Sequence, residues 1–220
     1  MNPSAPRSNL RLALPVVLVL AFAQATRTQQ VDPASLPAKD AHNGLTVACT
    51  VVTDPAQAKE RFGKKTPNEA GILPVELFVR NDNSEAIKID MDAMKLVLEP
   101  RGGQRQRIRA LMLQEVVSAI VYKDAPNPST TRKRLPVPLP GSSGDKKSKE
   151  AEKLADAFRP LVFEMDVIPP KATVHGFVFF DLAGHFEYVS QSRLYIPDLY
   201  FEQSGKALLF FEVELAHIFK

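Results

Sequence analysis

The sequence predicts a mainly β protein, an antiparallel β-sandwich with one or two inserted helices. Several segments alternate apolar and polar side chains at every second residue, the period of a strand with one buried face. Turn-forming clusters separate these segments at short intervals, which suits hairpins better than the crossovers of a parallel sheet. The 18 prolines against 10 glycines also fit many strand ends and stiff loops, because proline fixes its own φ and cannot donate to a ladder.

The chain begins with a different kind of segment. Arg7 and Arg11 stand in residues 1–11 without an acid, Leu12–Phe22 is apolar throughout, and Ala23 and Ala25 form a small-x-small pair. That order is expected of a secretory signal peptide, residues 1–25, cleaved after Ala25. The apolar run is shorter than the about 20 residues of a spanning helix, so no transmembrane span is expected after cleavage. Thr26 holds the place where a lipoprotein carries its lipid-bearing cysteine. The expected location is therefore extracytoplasmic, periplasmic or secreted. Residues 26–43 are polar, dotted with proline and aperiodic, and read as a flexible tether. Residues 44–220 read as one domain, a usual size for a single core.

Within that domain the first strand is expected at Leu45–Val52, with a helical turn near Ala56–Phe62. Ile72–Asn81 alternates Val75, Leu77 and Val79 against Glu76, Phe78 and Arg80, a second strand. The cluster Asn81–Glu85 is a turn, because Asn, Asp and Ser side chains bond their own backbone. Ile87 and Ile89 resume the alternation, and Lys95–Glu99 adds a short strand before the paired glycines of EPRGGQ. From Arg105 the period changes to that of a helix, carried by Ile108, Leu111, Met112, Val116, Ala119 and Ile120. Lys123–Gly144 is a proline-, serine- and arginine-containing loop, and Asp145–Phe158 a second helix with Asp145 as its cap and Leu154, Ala157 and Phe158 as its apolar contacts. Residues from about 104 to 159 thus read as an insertion of helix and basic loop. Strands are then expected at Leu161–Val167, Thr173–Asp181, Ser192–Phe201 and Ala207–Leu215, the last two joined through Gly205.

Ile168–Leu182 (IPPKATVHGFVFFDL) carries Pro170, Val174, Gly176, Val178, Phe180 and Asp181 in the pattern of a penultimate strand. It resembles the immunoglobulin-like domains of bacterial extracytoplasmic and lipoprotein-type proteins, and ILPVELFVRNDNSEAIKID resembles the companion strand pair. The resemblance implies an immunoglobulin-like sandwich. It implies no activity, because fold and function are separable.

Charge and motifs narrow the function further. The chain holds 28 basic against 25 acidic side chains, and loss of Arg7 and Arg11 with the leader brings it near neutrality. Nucleic acid is therefore not an expected partner, since such binding needs a concentrated positive field. Neither HExxH, GxSxG nor SxxK occurs, so no catalytic residue, metal ligand or cofactor is assigned and the expected protein is not an enzyme. Cys49 is a lone thiol in LTVACTVV and reads as a small core residue. His175, His185 and Glu187 offer metal-ligand chemistry without metal-site spacing. Asn81, Asn83, Glu85, Asp90 and Asp92 offer oxygen ligands, yet Ala86 replaces the glycine that an EF-hand loop requires. Glu212 and Glu214 share one face of a strand and read as a solvated pair.

Two basic groups remain: Arg105, Arg107 and Arg109 at the expected start of the first helix, and Arg132, Lys133 and Arg134 in the loop. Outside the cytoplasm such groups face anionic lipid or surface polymer. The expectation is a non-catalytic binding or scaffolding module of the cell envelope, with another envelope protein or an anionic surface component as partner. The alternatives are a secreted hydrolase or metal-dependent enzyme with a scattered site, and electrostatic association with anionic membrane or polymer.

Overall fold

A computed structural model describes residues 31–100, 103–123 and 144–219. Its first hairpin joins β1 (Lys39–His42) to β2 (Leu45–Val51) through Asn43 and Gly44. Their φ values of 51° and 71° are the positive angles that a two-residue turn between right-twisted strands demands. This hairpin corrects the expected tether over residues 31–43, the rest of which lies outside the described residues. The compact unit starts at Val31, because Lys39–His42 completes an antiparallel ladder with Leu45–Ala48.

The remaining strands are β3 (Ile72–Asn81), β4 (Ile87–Lys88), β5 (Lys95–Leu98), β6 (Gln106–Leu111), β7 (Val167–Ile168), β8 (Thr173–Asp181), β9 (Ser192–Ile196), β10 (Tyr200–Phe201) and β11 (Phe211–Glu214). The helices are α1 (Pro55–Phe62), α2 (Leu113–Tyr122) and α3 (Gly144–Phe158). Eight strands form one antiparallel sheet in the order β1-β2-β3-β8-β6-β5-β9-β11, and β10-β4-β7 form a small second sheet. The large sheet curls until its outermost strands meet. The Glu212 backbone N–H donates to Asp40 Oδ2 at 3.0 Å, His42 Nε2 lies 3.3 Å from the Phe210 carbonyl oxygen, and the His42 ring stacks on Phe211 at 3.8 Å. The fold is mainly antiparallel β, as expected, with its strands joined into one near-closed sheet.

Alternation along the strands builds two cores. Val178 and Phe180 of β8 face the inside of the curl beside Leu73, Val75 and Leu77 of β3 and Leu194 of β9. Phe177 and Phe179 face outward, where Phe62 of α1, Val116 of α2 and Phe158 of α3 cover them. β8 is therefore buried on both faces from Gly176 to Phe180, which explains its nearly unbroken apolar run. Gly176 has its own cause. A Cβ there would stand 2.7 Å from the Phe163 nitrogen and 2.8 Å from its Cα, because residues 162–163 cross the strand at this point. Val162 and Phe177 form a parallel bridge, and the Phe163 N–H donates to the Phe177 carbonyl at 3.0 Å.

Several expected elements are corrected. The helix expected from Arg105 begins only at Leu113, and Gln106–Leu111 is a strand paired with both β5 and β8. Ile108 and Ala110 serve the inner core, so Arg105, Arg107 and Arg109 fall on alternate outward positions and residues 104–159 are not wholly an insertion. The strand expected at Leu161–Val167 is reduced to Val167–Ile168, with Met165 left 39% exposed. Ser192–Phe201 breaks at Pro197 and Asp198, whose φ of 56° ends β9 before β10. Ala207–Leu215 keeps only Phe211–Glu214 as strand. On α3, Ala155 packs beside Leu154 and Phe158 while Ala157 is exposed, as the spacing of one helical face requires. Asp145 lies inside α3, which starts at Gly144.

Arg109 fastens α2 to the sheet. Its guanidinium meets Glu115 through both arms, at 2.8 and 2.5 Å, and Glu115 Oε2 also accepts the Met112 N–H at 2.9 Å. Burial pushes the Glu115 carboxyl up, but the Arg109 hydrogen bond, the Met112 N–H and the opposite charge outweigh it and hold the group below the usual range. A carboxyl lowered by folding stabilises above its unfolded pKa of about 4.3, and that stability is lost as pH falls through the folded value. Glu115→Gln is expected to cost about 2 kcal/mol at neutral pH and to flatten the acid side of the stability profile. Urea unfolding at stepped pH reads both effects.

Candidate functional site

The outer face of β6, β5, β9 and β11 follows from register. Lys95 pairs across to Arg109 and Tyr195, and Val97 to Arg107 and Arg193, while Glu212 and Glu214 stand opposite Tyr195 and Arg193. Polar side chains thus cover a sheet whose other face carries Leu96, Leu98, Leu194 and Val213. Val97 is only 1% exposed, a burial that the alkyl stems of its register neighbours Arg107 and Arg193 account for.

Charges on this face are sorted. Arg193 bonds Glu99, lies 3.4 Å from Glu214 and approaches Glu212 to 3.8 Å, and Arg105 reaches Glu99 at 3.2 Å. Lys95 donates to the Asp92 carbonyl at 2.9 Å. Arg109 is held by Glu115, which corrects its expected availability to a partner. Arg107 differs from all of these. It is exposed and, among the described residues, has no carboxylate within ion-pair reach.

Two depressions adjoin at Arg107. One, of about 580 Å³, is lined by Arg107 and, from the opposite side of the strand, by Gln106, Ile108 and Leu98, with Gln104, His185 and Tyr188. The other, of about 490 Å³, sets it beside Arg105, Lys95, Tyr195 and Phe210. In the first, Asp181 spends Oδ1 on the Ala183 N–H at 2.8 Å. His185 Nδ1 meets Glu187 at 2.9 Å, and the Glu187 carboxyl is held low by its own backbone N–H and then by His185. The cleft is rich in donors, which suits an anionic group with an apolar neighbour. Among its described lining residues no serine, threonine or cysteine stands beside the imidazole as a nucleophile.

The other sequence candidates fall elsewhere. His175 lies 3.7 Å from Glu76 and stacks near Phe78, apart from the His185 cleft. No group of three or more His, Cys, Asp or Glu placed to hold a metal occurs among the described residues. Asn81 is fully buried and spends its side chain on the turn, donating to the Glu85, Ile168 and Pro169 carbonyls and accepting from Asn83. Cys49 lies in the inner core, where burial pushes its thiol far up and out of reach of nucleophilic chemistry. Arg132, Lys133 and Arg134 lie outside the described residues, as does the expected leader. Among the described residues no helix is long and apolar enough to cross a membrane.

Sequence reasoning missed the cleft residues Gln104, Gln106 and Tyr188. The available signal was the alternation of Arg105, Arg107 and Arg109, a strand period hidden inside an apparent helix. It also passed over His42, which closes the sheet.

No family model and no curated protein matches the chain. Among solved structures, a functionally unknown protein from Listeria monocytogenes EGD-e is similar at 13% identity and a TM-score of 0.32, over 72% of this chain and 68% of that one.

Proposed function

We propose that the chain works outside the cytoplasm as a non-catalytic binding module that grips an anionic group, a phosphate or carboxylate, with Arg107 as the anchor. The observation that carries this reading is the exposed Arg107, which has no carboxylate within ion-pair reach among the described residues and lines two depressions. A guanidinium offers its donors in a fixed fork that matches both anions. The leader supports an extracytoplasmic setting, and the strands β3 and β8 support the immunoglobulin-like resemblance that goes with it. A charge-balanced face favours one gripped group over a diffuse polyanion, because Arg193 and Arg105 are already spent on Glu99, Glu212 and Glu214.

Titration with inorganic phosphate and with an acetylated amino acid, followed by NMR, tests this. Saturable shifts are expected at Arg107, Gln104, Gln106 and Tyr188. Arg107→Gln should weaken binding by roughly tenfold or more, the worth of a hydrogen bond to a charged group. Shifts scattered over exposed lysines, or an unchanged Arg107→Gln titration, would refute the assignment.

A further inference from the structure

Leu209 and Phe210 are 67% and 51% exposed and adjacent in the chain. Large apolar side chains that share a tip outside the core mark a contact site more often than isolated ones do. This tip is held in place. Ala207 bridges Tyr200, the Leu208 N–H donates to the Leu199 carbonyl at 2.8 Å, the Phe210 carbonyl meets His42 Nε2, and the Phe210 ring lies 5.6 Å from Tyr195.

The surroundings of the tip indicate what covers it. Phe210 and Tyr195 line the same depression as Lys95, Arg105 and Arg107. The carboxylates there are Asp198 and Glu212, and Glu212 is drawn toward Arg193 at 3.8 Å. Exposed apolar and aromatic side chains beside cations are the arrangement that lets a protein rest on an anionic bilayer: the apolar groups enter the acyl boundary and the cations meet head-group phosphates. Two side chains cannot by themselves supply the roughly 800 Å² per partner of a stable protein interface. Shallow insertion needs no such area.

We infer that this face docks on an anionic phospholipid surface, with Leu209 and Phe210 inserted and Lys95 and Arg107 on the phosphates. The inference rests on the anion-binding reading of Arg107 and names the source of its anion.

The test is sedimentation with vesicles of phosphatidylglycerol mixed with phosphatidylcholine, and with vesicles of phosphatidylcholine alone. The chain used begins at Thr26, which keeps the compact unit from Val31 intact and removes the leader, whose apolar run would insert by itself. Binding to the anionic vesicles only is expected, weakened by salt. Leu209→Ser with Phe210→Ser should reduce it at least tenfold, and Lys95→Gln about fivefold, with unchanged circular dichroism and melting. Phosphate binding at Arg107 without vesicle binding, or equal vesicle binding by the Leu209/Phe210 variant, overturns the inference and leaves the reading beneath it standing. Absence of both phosphate and carboxylate binding at Arg107 overturns that reading. Light scattering adds one more decisive outcome: a dimer abolished by the Leu209/Phe210 variant would make a second copy the occupant and sink the bilayer.

Discussion

Phe158→Ala is expected to cost about 3–5 kcal/mol, the usual loss for truncating a buried phenylalanine. The side chain is fully buried, and its ring lies 5.3 Å from Phe62, which in turn meets Phe177 at 4.8 Å and Phe179 at 6.1 Å. It is the one fully buried side chain that α3 brings to the outer core among the described residues. Its loss should therefore release the helix before it opens the sheet. Hydrogen exchange should show faster amides in α3 while β3 and β8 stay protected, and urea unfolding should report the total. Phe158→Leu, closer in volume, should recover most of the loss. Equal exchange in α3 and the sheet would show that the two cores unfold as one.

Gly176→Val is expected to cost about 3 kcal/mol, at the upper end of what overpacking does in a dense core. The obstacle is backbone, at 2.7 and 2.8 Å from the added Cβ, so no rotamer relieves it. Either residues 162–163 lift off β8, breaking the Phe163 to Phe177 hydrogen bond, or β8 shifts against β3. Gly176→Ala meets the same atoms with less bulk and should fall between. For a domain of this size the valine variant should melt roughly 6–12 °C lower, read by far-ultraviolet circular dichroism. An alanine variant as stable as the parent would show that the crossing is looser than these distances.

Much of the sheet was legible because its central strands announce themselves twice, by composition and by flanking turns. β3 runs from Ile72 to Asn81 and β8 from Thr173 to Asp181, the bounds that alternation and β-branched content gave. β6 was misread because Ile108, Leu111, Met112 and Val116 fall at helical spacing by chance across a strand and the helix after it. The alternating arginines held the opposite signal at three positions only. β1 was missed although Asn43–Gly44 is a strong hairpin pair, since Lys39–His42 is too short and too polar to read as a strand. The curl itself was illegible. It depends on which distant strands pair, as β5 does with β9 and β6 with β8, and a one-residue alternation says nothing about partners far along the chain. The same holds for the cleft, whose arginine is distinguished by the acids that its neighbours have already taken.

Any open sheet has two margins of unsatisfied amides and carbonyls that invite strands from other molecules. In this chain the margins shelter one another. Asp40 occupies an amide of β11 and His42 faces a carbonyl just before it, so closure is achieved by side chains where a barrel would use a further ladder. That join therefore has no ladder of its own to hold it closed. Resistance to edge-to-edge aggregation rests here on one aspartate and one histidine of a four-residue strand.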